Sequence, residues 1–140
     1  MTAFCIVDVK HALALAASES FDGQLHHEPY GRRTCALWLL ERGDDGESYF
    51  LKDAAHGMYV AAPDGYDGSL YHEATRERLG AQWSFHPMHD GPGGALAMTI
   101  KDRRHGMAIV AGDNPDGRVY HEHPNGRMNA FWTLVPVELM

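Results

Sequence analysis

Apolar residues in this chain come in short runs, and glycine, proline and Asx residues separate them. Ala3–Lys10 carries Phe4, Ile6 and Val9, and His11–Ala17 sets Leu13 and Leu15 among alanines. Phe21-Asp22-Gly23 then supplies a hairpin turn, because Asp-Gly accepts positive φ at little steric cost. Gln24–Glu28 reads as a third strand. Pro29-Tyr30-Gly31-Arg32 is a loop, Cys35–Glu41 a fourth strand, and Arg42–Glu47 a polar connector. The same order returns as Tyr49–Lys52, a His56-Gly57 turn, Met58–Ala62, Ser69–Glu73 and Gly80–His86. Asp90–Gly94, with its glycines and proline, excludes helix and central strand. Ala95–Lys101, Met107–Ala111, Arg118–Glu122 and Asn129–Val135 complete the pattern. No segment sustains a helical period. Short strands at regular spacing predict an all-β barrel or sandwich.

The recurrence is an internal repeat. His11 to Trp38, His56 to Trp83 and His105 to Trp132 align without a gap, offset by 45 and then 49 residues. The aligned copies share His (11, 56, 105), Ala (17, 62, 111), Asp (22, 67, 116) and Gly (23, 68, 117). They also share His (27, 72, 121), Glu (28, 73, 122), Arg (33, 78, 127), Ala (36, 81, 130) and Trp (38, 83, 132). A fixed period of this length determines the architecture, since one unit buries its apolar face only against the others. Three units of four strands predict a β-trefoil, in which six strands close a barrel and three hairpins cap it. Closure also leaves few strand edges open. The expected organisation is one domain over residues 1–140, with repeats near 1–45, 46–92 and 93–140. Trp38, Trp83 and Trp132 are expected to form a core layer, and the shared alanines to sit where strands crowd.

Composition narrows the partners. Hydrophobic residues make up 44% and charged residues 22%, ordinary for a globular chain of 140 residues. Twelve basic against 19 acidic residues leave a formal charge of −7, which argues against nucleic acid. No apolar run approaches membrane length, and none follows a basic N-terminus as in a signal peptide. The expectation is therefore a protein that stays in the cytoplasm or is released without a signal peptide, with no membrane insertion. The sequence leaves a homodimer open. Cys5 and Cys35 form no disulfide framework and lack metal spacing, and Cys35 reads as a buried thiol. Ten histidines predict a steep change of charge between about pH 5 and 7.

The triplicated polar residues carry the candidate chemistry. Core packing does not require His, Glu, Asp and Arg in three copies. Asp22, Asp67 and Asp116 either serve turn chemistry alone or belong to the ligand-binding set, and His11, His56 and His105 are expected to bond to backbone. Glu28, Glu73 and Glu122 either pair with Arg33, Arg78 and Arg127 to pin a loop, or join His27, His72 and His121 in a ligand site. A carboxylate accepts from hydroxyls, a guanidinium donates in a fixed fork, and His does either. This set fits a polyhydroxylated ligand, with Tyr30 and Tyr66 available to cover a ring face. Three such sites would bind multivalent glycans by avidity. Gly-x-Ser-x-Gly, a phosphate-cradling glycine loop and His-Glu-x-x-His are all absent, so neither an enzyme nor a cofactor is expected. The pairs His26-His27 and His121-Glu122-His123 are not matched in all copies, which sets a metal site aside.

These residues resemble three trefoil families. His56-Gly57-Met58-Tyr59-Val60, echoed by His105-Gly106-Met107, resembles the His-Gly turn of the actin-binding fascin and hisactophilin trefoils. The Trp-bearing strand is similar in place to the Gln-x-Trp repeat of ricin-type lectins, with Ala81-Gln82-Trp83 here. The likeness that covers most of the chain is to the mussel galactose/GalNAc lectins. It rests on Leu51-Lys52, His56-Gly57 and His72 to Arg78-Leu79, and on Ile100-Lys101, His105-Gly106 and His121 to Arg127-Met128. The chain departs from them in having Ala62-Pro63-Asp64-Gly65 where they have a His-Pro-Tyr-Gly-Gly stretch. The resemblance implies a multivalent lectin for galactose-type or other terminal sugars. The alternative it implies is an actin- or protein-binding module without a sugar site.

Overall fold

The computed structural model describes residues 2–17, 25–29, 36–43, 45–62, 70–73, 79–88, 97–112, 119–122 and 130–138, with backbone alone at 27, 29, 71, 72, 88 and 121. Among these described residues twelve strands run in chain order. The first repeat supplies β1 (Thr2–Asp8), β2 (Leu13–Ala17), β3 (Leu25–Pro29) and β4 (Trp38–Arg42). The second supplies β5 (Tyr49–Asp53), β6 (Tyr59–Ala61), β7 (Tyr71–Glu73) and β8 (Trp83–Met88). The third supplies β9 (Ala97–Asp102), β10 (Ala108–Ala111), β11 (Val119–Glu122) and β12 (Trp132–Glu138).

Pairing closes the sheet. β1 pairs with β4, β4 with β5, β5 with β8, β8 with β9, β9 with β12 and β12 with β1, all antiparallel. This six-stranded ring has no open edge within the barrel. The hairpins β2–β3, β6–β7 and β10–β11 each hang from it by one registered pair: Val7 with Ala14, Lys52 with Tyr59, and Lys101 with Ala108. The fold is the β-trefoil that the repeat predicts.

Its core is a stack of threefold sets. Ile6, Leu51 and Ile100 form one, Leu15, Val60 and Ile109 the next, then Ala17, Ala62 and Ala111, and then Trp38, Trp83 and Trp132. Leu25, Leu70 and Val119, and Leu40, Phe85 and Leu134, pack against them less deeply. Each fully buried aliphatic side chain contributes about 1.5–3 kcal/mol of transfer free energy. A buried indole N–H needs an acceptor, and each finds one in its own hairpin. Trp38 Nε1 donates to the Leu15 carbonyl at 2.8 Å, Trp83 to Val60 at 2.9 Å and Trp132 to Ile109 at 2.8 Å. The tryptophans therefore tie hairpin to barrel as well as filling the centre.

The fourth strands begin at the tryptophans, later than Cys35, Gly80 and Asn129 as the apolar pattern suggested. In the second repeat a 3-10 turn, Leu79–Ala81, takes up the preceding residues. There the Gly80 carbonyl accepts from Ala62 N at 2.8 Å, and a β-carbon on Gly80 would lie 2.4 Å from the Ala62 oxygen. The expected turn at Phe21-Asp22-Gly23, the loop after Pro29, Cys35 and the connector Asp90–Gly94 lie outside the described residues. No helix among the described residues is long and apolar enough to cross a membrane.

Candidate functional site

Two triplicated polar sets stand at the hairpins. The first centres on Asp8, Asp53 and Asp102, the last residues of β1, β5 and β9. Each side chain is buried and caps the turn that follows. Asp53 Oδ2 accepts the His56 N–H at 2.6 Å and Oδ1 the Met58 N–H at 2.8 Å. Asp8 does the same with His11 and Leu13, both at 2.8 Å. Asp102 does so with His105 at 2.8 Å and Met107 at 3.0 Å. The Nδ1 atoms of His11, His56 and His105 lie 3.2, 3.1 and 3.2 Å from the same carboxylates. These histidines were expected to bond to backbone; the structure also gives each a side-chain carboxylate as partner. A buried carboxylate is tolerated because several donors replace its water.

The aspartates escaped the sequence reading, although Asp-x-x-His recurs at one spacing in Asp8–His11, Asp53–His56 and Asp102–His105. They also knit the repeats together. Trp38 is in register with Asp53, Trp83 with Asp102 and Trp132 with Asp8, so each repeat's Trp faces the next repeat's cap. The His-Gly turn thus has a structural account.

The second set is the sequence-predicted one. In β3, β7 and β11, Glu28 stands opposite Ala14, Glu73 opposite Tyr59 and Glu122 opposite Ala108. His27, His72 and His121 precede them, opposite Leu15, Val60 and Ile109. The fold therefore brings each His and Glu to the end of one outer hairpin strand, and the three glutamates are partly exposed. Glu28 has a neighbour the pattern did not suggest: His26 Nε2 is 2.7 Å from its Oε1. Beside Glu73, the Tyr59 hydroxyl donates to Glu41 at 3.0 Å, and Lys52 reaches the other Glu41 oxygen at 3.6 Å. Asp22, Asp67, Asp116, Arg33, Arg78 and Arg127 lie outside the described residues, as do Tyr30 and Tyr66.

Symmetry breaks at the seams between repeats. Equivalent backbone bonds join Val9 to Phe131, Ala54 to Leu37 and Arg103 to Gln82. Two seams are apolar, and the third is a polar network. Arg103 Nη1 donates to Gln82 Oε1 at 2.8 Å, and Arg103 Nε lies 3.4 Å from Asp45 Oδ2. Asp45 Oδ1 accepts from Glu47 N, Ser48 N and Ser48 Oγ at 2.9, 2.8 and 2.8 Å. Ser48 Oγ also lies 3.1 Å from Gln82 Oε1. Its single proton goes to the ionised Asp45, the nearer acceptor, and Arg103 serves Gln82. The Ser48 and Glu47 N–H groups, with help from Arg103, hold the Asp45 carboxyl down at about 2. The Gln beside Trp83, which resembles a ricin-type motif, is spent in this seam.

On β8, His86 Nε2 meets Ser84 Oγ at 2.8 Å. Burial and the nearby Lys101 ammonium push the His86 imidazole below its ordinary value. His86 therefore takes up charge later on acidification than an ordinary histidine.

No family model matches the sequence, and no curated protein matches it. Solved structures do. The designed threefold protein ThreeFoil superposes with a TM-score of 0.83 at 20% identity, over 95% of this chain and 97% of that one. A GlcNAcα1-4Gal releasing endo-β-galactosidase from Clostridium perfringens matches with a TM-score of 0.81 at 22% identity over 99% of this chain, which spans 33% of that enzyme. SeviL, bound to asialo-GM1 saccharide, matches with a TM-score of 0.76 at 10% identity, over 96% of this chain and 95% of that one. At these identities the likeness establishes the fold alone: the chain is a β-trefoil.

Proposed function

We propose that this chain is a non-catalytic carbohydrate-binding module, a lectin with up to three related sites at the ends of β3, β7 and β11. One observation carries the reading. Glu28, Glu73 and Glu122 recur in all three repeats, partly exposed, outside the stack that accounts for the triplicated Trp, Ala and aliphatic residues. In this reading the glutamates accept sugar hydroxyls, and the adjoining histidines and the arginines Arg33, Arg78 and Arg127 donate. Galactose-type terminal sugars are the first candidates. The endo-β-galactosidase and the asialo-GM1-bound protein that share the fold support that choice. Multivalent glycan surfaces are the partner, because repeated weak sites gain by avidity.

The test is a glycan array with the purified protein at about pH 7.5 and about pH 5.5, a range that spans ordinary histidine titration. Selective capture of one terminal sugar is expected, weakened at the lower pH while the fold persists. Glu73→Ala should reduce capture and leave the melting temperature within a few degrees, since surface substitutions cost about 0.5 kcal/mol or less. A collapse of the melting temperature with capture unchanged would assign the glutamates to the scaffold. A blank array at both pH values overturns the reading and directs the search to a protein partner such as actin.

A further inference from the structure

The outer wall of the barrel has three equivalent stretches, and each is built differently. On β12 and β1, Thr133 stands opposite Val7 and Val135 opposite Cys5. On β4 and β5, Leu39 stands opposite Lys52 and Glu41 opposite Phe50. On β8 and β9, Ser84 stands opposite Lys101 and His86 opposite Thr99. The first wall is mostly apolar. In the second, Lys52 Nζ lies 3.6 Å from Glu41 Oε2, so its cation has a counter-ion. In the third, His86 takes the place of that glutamate, and Lys101 forms no ion pair among the described residues. Cross-strand neighbours, about 5 Å apart, share a face with residues two along the strand, about 7 Å apart. Four side chains that can donate, none of them a carboxylate, therefore share one small patch of a chain whose formal charge is −7. Thr99 is only 6% exposed, yet its hydroxyl finds no hydrogen-bond partner among the described residues. A buried hydroxyl left unpaired is costly, and a ligand oxygen offsets that cost. Ser84 Oγ donates to the Lys101 carbonyl at 3.3 Å and lies 2.8 Å from His86 Nε2. A charged His86 thus spends one N–H on Ser84 and keeps the Nδ1–H for a ligand. The barrel does not require this set, because the other two walls close without it.

We infer that Thr99, His86 and Lys101, with Ser84 orienting the imidazole, form an oxyanion site on the β8–β9 wall, and, resting on the carbohydrate reading, that its ligand is the sulfate ester of an acidic glycan. A tetrahedral oxyanion accepts from several donors at once, and its bonds from ammonium and imidazolium are charge-assisted. It also supplies the counter-ion that Lys101 lacks. The next cation along the wall is already engaged: Arg103, in the row with Gln82, is held by Asp45. From β5, Tyr49 packs against Phe85 on the core side, and the 3-10 turn before β8 brings no charge. Lys101 disfavours a charge on His86, and an anion between the two reverses that effect. Binding therefore strengthens as pH falls through the histidine range. The site belongs to one wall of the three, since Lys52 is engaged by Glu41 and the Val7 side chain cannot donate.

An NMR titration of the full, isotope-labelled chain with sodium sulfate tests the site, against sodium chloride at equal ionic strength, at about pH 5.5 and about pH 7.5. Sulfate should move the amide resonances of Ser84, His86, Thr99 and Lys101, raise the pH at which the His86 ring titrates, and bind several-fold tighter at the lower pH. Lys101→Met should remove most of this response. So should His86→Glu, which gives the third wall the acid–lysine pair that the second already carries and so keeps the fold. A response spread evenly over the histidines, or unchanged in both variants, would overturn the oxyanion site. Lactose and lactose sulfated on its galactose then read the source of the anion. The sulfated sugar should bind wild type about fivefold tighter, and Lys101→Met should abolish the difference. Equal binding of the two sugars would overturn the glycan assignment. A sulfate response with no sugar bound, in solution or on the array, would remove the lectin reading and the glycan assignment together and leave the oxyanion site standing.

Discussion

At position 12 an alanine sits at φ 60°, where the second and third repeats place Gly57 at 72° and Gly106 at 70°. The Asp cap imposes that conformation, because the N–H groups on either side must both point at one carboxylate. Left-handed backbone costs a residue with a β-carbon about 1–2 kcal/mol. Ala12→Gly removes that cost and returns part of it through the freer unfolded chain. The net expectation is a gain of about 0.5–1 kcal/mol and a melting temperature higher by roughly 2–4 °C, read by calorimetry. An unchanged or lower melting temperature would mean that the first turn relaxes around its alanine. Single residues were legible in the sequence where triplication coincided with apolarity. Trp38, Trp83 and Trp132 announce a core because an indole has few other reasons to recur. Asp8, Asp53 and Asp102 recur at equal spacing, yet an aspartate at a strand end looks like an exposed turn residue. Nothing in the composition says that its carboxylate faces inward to three donors.

Between elements, the same three seams are built in two chemistries. Val9 with Phe131 and Ala54 with Leu37 close theirs by burial, while Arg103 with Gln82 needs Asp45 and Ser48 to satisfy its polar atoms. This difference has a pH signature. Asp45 is held at about 2 against an ordinary 3.8, first by the Ser48 and Glu47 N–H groups and least by Arg103. A folded-state value below the unfolded one favours the folded state above the ordinary value. That contribution fades as pH falls through about 2. Asp45→Asn should therefore be less stable than wild type near neutrality, and the gap should narrow as pH drops from about 4 to about 2. Urea unfolding at a series of pH values measures it. A gap constant with pH would show that the carboxylate charge adds nothing to the seam. All twelve strands were visible in the alternation of apolar and polar residues. Their starts were less so, since the 3-10 turn at Leu79–Ala81 carries the same small and apolar residues as the strand after it. The seam was invisible for a simpler reason. Gln82 occupies the position of Leu37 and Phe131, and a single polar residue in an apolar series does not declare its partners.

Across the molecule, the repeats are joined in a ring and not in a row. Trp38 is registered with Asp53, Trp83 with Asp102, and Trp132 with Asp8, which returns the third repeat to the first. Each indole also bonds to its own hairpin and is buried in the one core cluster that holds the other two. The sequence implied this closure through its threefold period alone, because a unit of four short strands has no partner for its apolar face except its copies. The candidate polar set was less legible than the core, since Glu28, Glu73 and Glu122 share one sequence position but stand opposite Ala14, Tyr59 and Ala108. Closure makes a strong claim about unfolding. Trp38→Phe, Trp83→Phe and Trp132→Phe each remove an N–H from a buried carbonyl and leave a smaller ring in a filled layer. Each should cost about 2–4 kcal/mol, the orphaned acceptor and the cavity both contributing. If the ring is one cooperative unit, all three variants lower the midpoint of a single transition, with the same slope against urea as wild type. Tryptophan fluorescence and far-ultraviolet circular dichroism should then follow one curve. A second transition in any variant, or curves that separate, would show instead that a repeat opens by itself, and that the register between Trp and Asp is too weak to hold the three together.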